Sequence, residues 1–496
     1  AYVAASASGA EVWVTVLNAD GTVRYSRSAA DDLIIASPGR VDAAIDPSGR
    51  VIVAFDAQVD VDGAGTLVRL PLGRLFDLAG NPLGGTFYVS EKELPAAGTL
   101  ESRRPRVAWR GGLAVVVWES QNSPDLPGTR TVAARYFSTV QPGTVESAGL
   151  TRIVPDTVVL NQGIDNLGNW EPYISVLGNS TFLIEGNAFA EGSDTDMRYV
   201  VMFQPADGKP GKVGEGFFAD NGTPYKGSIN LSRQNGNPGR VAGDKRPGAA
   251  NFIVGGEASP HGFTEFQSDT RWSVNGIYTD VNRYASVQTF SLDPTTLAQS
   301  SLAKAFDAVN GQNTDVFAGN AGEVSRFGGE VAALDNGNFV VVIDDRSNMV
   351  APRRTATAAI IKPNGEVVKA GFAIDGEVEN QIWSNVAAYK GGFCARFNGS
   401  LYFFDNAGNL QGKVDQNTSG EGFDRGRGDG ARIAGHINSP YVFLAGEVTA
   451  GDVVRVAVWD SRDRSFVTVA SVSELGFPGG TDRVNLAVDA LNRVTV

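Results

Sequence analysis

Three observations predict that this chain is all-β and folds as a single β-propeller of four-stranded antiparallel blades over residues 1–496. One strand-pair phrase recurs along the length. The strands at its centre are apolar without alternation, and the two ends of the chain carry complementary parts of one further copy.

The phrase is clearest at 41–56. An apolar run from Val41 to Ile45 leads through a turn at Gly49 into a second run from Val51 to Phe55, and then to the acid Asp56. It recurs in outline at 107–119 and 331–344, and near Val386, Ile433 and Val484. Two short apolar runs flanking a Gly or Asn turn read as adjacent antiparallel strands, and a unit restated every few tens of residues signals a repeat architecture. A small residue in the first run marks each copy: Ala44, Ala108, Ser175, Ala333, Ala388, Ala434 and Ala487. Successive markers stand 46 to 67 residues apart, except for one gap of 158 with room for a degenerate copy between about 235 and 290. Four strands of about 5 to 6 residues need roughly 40 to 60 residues with their turns, so the spacing fits one blade per copy and favours eight blades over seven. A β-helix needs shorter coils, and a string of sandwich domains needs about 100 residues per repeat. The stretch at about 227–310 is the least regular blade.

The second run of each copy, as at 50–55, 113–118 and 339–343, is apolar at every position. A strand covered on one face would alternate, so these are covered on both, as blades packed face to face require. A third strand then ends in a polar Gly turn, at Gly21, Gly80, Gly208, Gly365 and Gly408. Glycine there supplies the positive φ that tight hairpins need. A more polar fourth strand follows, suited to an exposed rim. At the ends, 482–496 reads as a first strand and the start of a second, and 1–17 reads as the rest of that unit. Joining Val496 to Ala1 recreates a run close to 50–55, which predicts a closure blade shared by both termini and a ring without open edges.

The phrases at 81–90, 104–109 and 112–119 resemble the degenerate repeats of large secreted bacterial surface proteins, and 41–56 is similar to the strand pair of NHL-type propellers. The resemblance implies an extracellular propeller used for adhesion, scaffolding or binding, and it carries over no catalytic residue. Neither the sialidase Asp-box nor the Trp-Asp signature of WD-repeat blades is evident.

Composition narrows the partners. With 55 acidic against 42 basic residues the net charge is −13, and no basic stripe offsets it, so nucleic acid is excluded as a partner on electrostatic grounds. No apolar run is long enough to span a membrane as a helix. Cys394 is the only cysteine, which rules out an internal disulfide and reads as a buried, inert thiol. The start at Ala1 without Met is read as a processed one, after removal of a signal peptide, which puts the protein outside the cell or on its surface.

Acids stand where second strands end: Asp56, Glu119, Asp344 with Asp345, and Glu447. Together they predict a ring of carboxylates crowning one face. Asp60 and Asp62 before Gly63 add a fragment of a calcium-type loop, so Asp56, Asp60, Asp62, Asp344 and Asp345 are the candidate metal ligands, with calcium as the candidate ion and no cofactor required. The preferred reading is a non-catalytic structural or binding subunit of a cell-surface or filamentous assembly, whose partners are copies of itself or other surface proteins. One alternative is a carbohydrate-active hydrolase or lyase using the central funnel, with Glu171 and Asp42 as its candidate acids. Another is a calcium-dependent lectin-like adhesin that binds glycans. His261 and His436 are the only histidines, too few for a histidine metal cluster, and neither accompanies a nucleophile elbow. Trp109 and Trp118 are expected to pack between blades.

Overall fold

The computed structural model describes residues 2–8, 11–17, 23–46, 48–90, 101–110, 112–123, 126–138, 170–189, 196–206, 209–217, 241–258, 284–292, 299–304, 326–345, 353–375, 385–418, 431–448 and 453–471, together with shorter strands and turns. Over these residues the chain is all-β, without a helix, and builds antiparallel sheets in chain order.

The first sheet runs Val23–Ser28, Glu11–Leu17, Tyr2–Ser8, Val494–Thr495, Ala487–Val488. The second runs outward from Val41–Ile45 through Val51–Asp60 and Leu67–Phe76 to Phe87–Tyr88, and the third from Glu101–Arg110 through Leu113–Ser123 to Leu126–Ser138. A single parallel bridge, Arg69 opposite Glu101, joins these two. The next five start from Trp170–Val176, Val241–Gly243, Arg326–Ala333, Asn385–Tyr389 and Ala431–Gly435, each continuing through three further antiparallel strands. The sheet at 241–258 fills the gap of 158 residues, where one degenerate copy is expected. The first strands pack one against the next in chain order, from Tyr2–Ser8 against Val41–Ile45 to Ala431–Gly435 against Ala487–Val488.

The termini meet differently from the end-to-end join that the sequence suggests. Val3 lies opposite Thr495 in a parallel pair, so the two ends run side by side within one five-stranded sheet. Tyr2–Ser8 pairs along its whole length with Glu11–Leu17 and is a strand in its own right. The last residues therefore take the neighbouring slot.

Second strands form the core. Val51 to Phe55, Leu113 to Val117 and Phe339 to Val342 are fully buried, each large apolar side chain contributing about 1.5–3 kcal/mol over exposure. Their side chains alternate between two neighbours. Ile52 and Ala54 join Val107, Trp109, Ala114 and Val116 of the third sheet, whereas Val51, Val53 and Phe55 join Val12, Val14 and Val16 of the first. Trp109 and Trp118 lie in these layers as expected, and Cys394 lies in the layer between the seventh and eighth sheets, where burial pushes its thiol well up.

Outer strands carry a recurring device. In six sheets one residue near the start of the fourth strand drops out of register: Arg24, Val213, Ser300, Val368, Gln411 and Val467. Such bulges sharpen the local twist and spoil the edge as a template for further strands.

On the side of the first-to-second strand turns, neighbouring sheets are laced together. Arg110 Nε donates to Ser180 Oγ at 3.3 Å, the Gly178 N–H to the Asp244 carbonyl at 2.8 Å, and Arg246 Nη1 to the Asn336 carbonyl at 3.1 Å. The Gly391 N–H reaches Asp335 Oδ2 at 2.8 Å, and the Lys390 N–H reaches the Ser439 carbonyl at 2.7 Å.

Candidate functional site

The ladders put five polar residues at one register position of the first strands. Ala44, Ala108, Ala332, Ala387 and Ala434 lie opposite Ile52, Val115, Val340, Cys394 and Phe443. Two residues earlier, so on the same face of each strand, stand Asp42, Arg106, Glu330, Asn385 and Arg432. Every flanking position in these strands is apolar or small, so charge at this level is a departure from the pattern of the repeat. Arg106, Glu330, Asn385 and Arg432 are all buried.

The five are connected across sheets. Asp42 Oδ2 accepts the Val107 N–H at 3.0 Å. Burial pushes the Asp42 carboxyl above the usual range, opposed by the nearby Arg106 guanidinium and by the Val107 N–H. Arg432 Nη1 lies 3.4 Å from Glu330 Oε1, an ion pair between the sixth and eighth sheets that passes over the first strand of the seventh. A contact of that reach requires the three strands to curve around a common centre.

Behind the ring, on the side where second strands end, acids are enclosed by arginines. Asp56 is 2% exposed. It takes the Arg69 guanidinium at 2.6 Å on Oδ2, and the N–H groups of Arg40 at 2.9 Å and Arg104 at 3.1 Å on Oδ1. Burial raises its pKa, while Arg69 and the Arg104 N–H oppose the rise. Glu119, the equivalent acid of the third sheet, is fully buried between Arg103 Nε at 3.0 Å and Arg104 Nη1 at 3.1 Å. Arg104 serves both acids from a left-handed backbone, φ +58°, at the register shift between Arg103 and Arg106. Strain of this kind persists only where the surroundings over-determine it.

The expected crown of solvent carboxylates is thus, at Asp56 and Glu119, a set of buried ion pairs. The linker entering each next sheet brings arginines across the strand end. Asp60 and Asp62 sit at the hairpin tip between Val51–Asp60 and Leu67–Phe76. Asp60 takes the N–H groups of Asp62, Gly63 and Gly65, and Asp62 takes the Ala64 and Thr66 N–H groups and the Thr66 hydroxyl. At about 3.3 Å rise per residue, Asp60 is about 13 Å along the strand from Asp56, so the three do not converge on one ion. Asp344 and Asp345 end Phe339–Asp345 and Glu171 lies in Trp170–Val176, but the side chains of all three fall outside the described residues, as does that of Glu447. Among the described residues no group of three or more His, Cys, Asp or Glu gathers to hold a metal.

His436 follows the first strand of the eighth sheet and is 3% exposed. Its Nδ1 accepts the Asn438 N–H at 3.1 Å. Burial, then the charges of Lys245 and Arg110, push its pKa down to about 3.

Sequence reasoning found Asp42 and missed Arg106, Glu330, Asn385 and Arg432. The available signal was a polar residue directly before each apolar-Ala-small triplet.

No family model and no curated protein matches the chain, so the expected kinship with NHL-type repeats gains no support there. Among solved structures it is similar to the Penicillium chrysogenum α-L-arabinanase at 12% identity, over 73% of this chain and 94% of that one, with a TM-score of 0.38. A Hadza microbial sialidase matches at 8% identity over 93% and 75%, TM-score 0.39. The β-propeller domain of the trilobed protease from Pyrococcus furiosus matches at 11% identity over 87% and 96%, TM-score 0.38.

Proposed function

We propose that the eight sheets are the blades of one closed propeller and that its axis holds a carbohydrate-active site, hydrolytic or eliminative, with Asp42 as the proton donor. The closed ring is supported by the unbroken succession of first-strand contacts, by the pairing of Val3 with Thr495, and by the Glu330–Arg432 pair reaching over an intervening strand.

The observation that carries the site is the polar ring itself. Charged and amide side chains at one level of the innermost strands are costly unless they have work to do there, and a sugar offers the hydroxyls and ring oxygens that such a ring can bind. Asp42 has the property required of a general acid, a carboxyl kept protonated to higher pH by its buried setting. Glu330, held by Arg432, is the second carboxyl of the pair that glycosidic cleavage uses. This ranks the carbohydrate-active reading above the non-catalytic surface subunit expected from the repeats, for which an inner ring of charges has no use.

The test is a panel of neutral and acidic polysaccharides assayed for new reducing ends and for unsaturated products. Asp42→Asn is expected to lower the rate about 10²–10⁴-fold with an unchanged unfolding midpoint. A folded wild-type protein that cleaves nothing in the panel, or an Asp42→Asn variant of full activity, would remove the reading.

A further inference from the structure

We propose that the mouth of the ring on the side of the first-to-second strand turns binds a compact oxyanion, held between the Nε2–H of His436 and the cationic side chains of Arg110 and Lys245. The site rests on the ring reading and is independent of catalysis at Asp42.

Three elements bring these groups together. Arg110 ends the first strand of the third sheet, Lys245 follows that of the fifth, and His436 follows that of the eighth. In an eightfold ring these are spaced around the axis, and the charges of Lys245 and Arg110 both reach the imidazole. The Asn438 N–H bonded to Nδ1 fixes the tautomer, leaving the ring proton on Nε2. Among the described residues no protein acceptor meets that proton, although His436 is 97% withdrawn from solvent. Arg110 directs Nε to Ser180 Oγ, which orients the fork of its terminal N–H groups.

Acids on this side are already engaged. Asp46 takes the Ser48 hydroxyl and Arg50, Asp244 takes the Arg246 guanidinium, and Asp335 takes the Gly391 N–H. A buried donor facing two cations lacks both an acceptor and a counter-charge. An oxyanion supplies both, with charge-assisted bonds to a guanidinium fork and to an imidazole N–H. Inorganic phosphate and sulfate share this chemistry.

With two histidines in the chain, ¹⁵N-histidine labelling reads the site directly, and His436→Gln assigns its signal. Phosphate, sulfate and chloride are titrated separately at matched ionic strength and fixed pH. The expected result is a saturable shift of the His436 Nε2 resonance with phosphate or sulfate, none with chloride, and none at His261. Arg110→Gln with Lys245→Gln should weaken binding roughly ten- to hundred-fold without moving the unfolding midpoint. A linear shift shared by chloride, or undiminished affinity in the double variant, overturns the proposal, whatever the outcome at Asp42.

Discussion

Acid sensitivity of the fold is expected to centre on His436. Its folded pKa of about 3 lies below the ordinary 6.5, so the native state keeps the imidazole neutral while the unfolded chain can protonate it. The contribution to stability is complete above pH 6.5 and is lost as pH falls from there toward 3. At pH 5 the unfolded imidazole is about 97% protonated and the folded one about 1%, which costs about 2 kcal/mol; below pH 3 the full loss approaches about 5 kcal/mol. The assay is urea unfolding at pH 7 and pH 5 in buffer free of phosphate and sulfate, for wild type and His436→Gln. Taking the difference of differences cancels every other titrating group. Wild type should lose about 2 kcal/mol more than the variant between the two pH values, with equal m-values. An imidazole titrating near 6.5 in the folded protein, or parallel losses in the two proteins, would refute the burial argument.

Glu119→Gln leaves Arg103 and Arg104 without their carboxylate; because both guanidiniums reach solvent, the expected cost is about 2–3 kcal/mol, read as a lower urea midpoint. Gly435→Ala places a methyl carbon 2.4 Å from the Ala388 carbonyl oxygen, a backbone atom that cannot step aside, and should cost about 1–3 kcal/mol. Gly63→Ala, at φ +71° with open space around it, should cost only the left-handed backbone penalty of about 1–2 kcal/mol, so thermal melts should rank Gly435→Ala as the worse or equal of the two. Asp405 caps its own turn through the N–H groups of Ala407 and Asn409. Despite burial, which raises its pKa, the hydrogen bonds from Asn409 hold its carboxyl below the usual range, so its contribution is present above about pH 4 and lost as pH falls further. Asp405→Asn keeps one acceptor and should flatten the stability profile below pH 4 while leaving the window near pH 5 unchanged.

The architecture was legible because its signals are local. Unbroken apolar runs at 51–55 and 339–343 announce two-sided burial, and Gly80 and Gly408, at φ +87° and +75°, mark the same Asp-x-x-Gly-Asn turn twice. The site was less legible because it depends on register. Ala333 and Ala388 look like the counterparts of Ala44, but the ladders make Ala332 and Ala387 the counterparts. A slip of one residue turns a strand over, and with it Glu330 and Asn385 drop out of line with Asp42. Likewise Asp56 and Glu119 are evident as strand-end acids, but Arg69, Arg103 and Arg104 arrive from a hairpin partner and a linker, and no spacing rule connects them.

The use made of acids explains how a chain of net charge −13 can present cations at one mouth. Asp46, Asp77, Asp244, Asp405 and Asp460 each accept hydrogen bonds from their own turns, and Asp56 and Glu119 are enclosed by arginine. Their charge is local, short-ranged and screened by the donors that hold it. Arg110 and Lys245 have no such turn acid of their own, since the nearby Asp244 is bound to Arg246 by a fork of two nitrogens. The field at that mouth is therefore set by a few cations near a neutral histidine rather than by the net charge, and both the low pKa of His436 and the oxyanion site depend on that same imbalance.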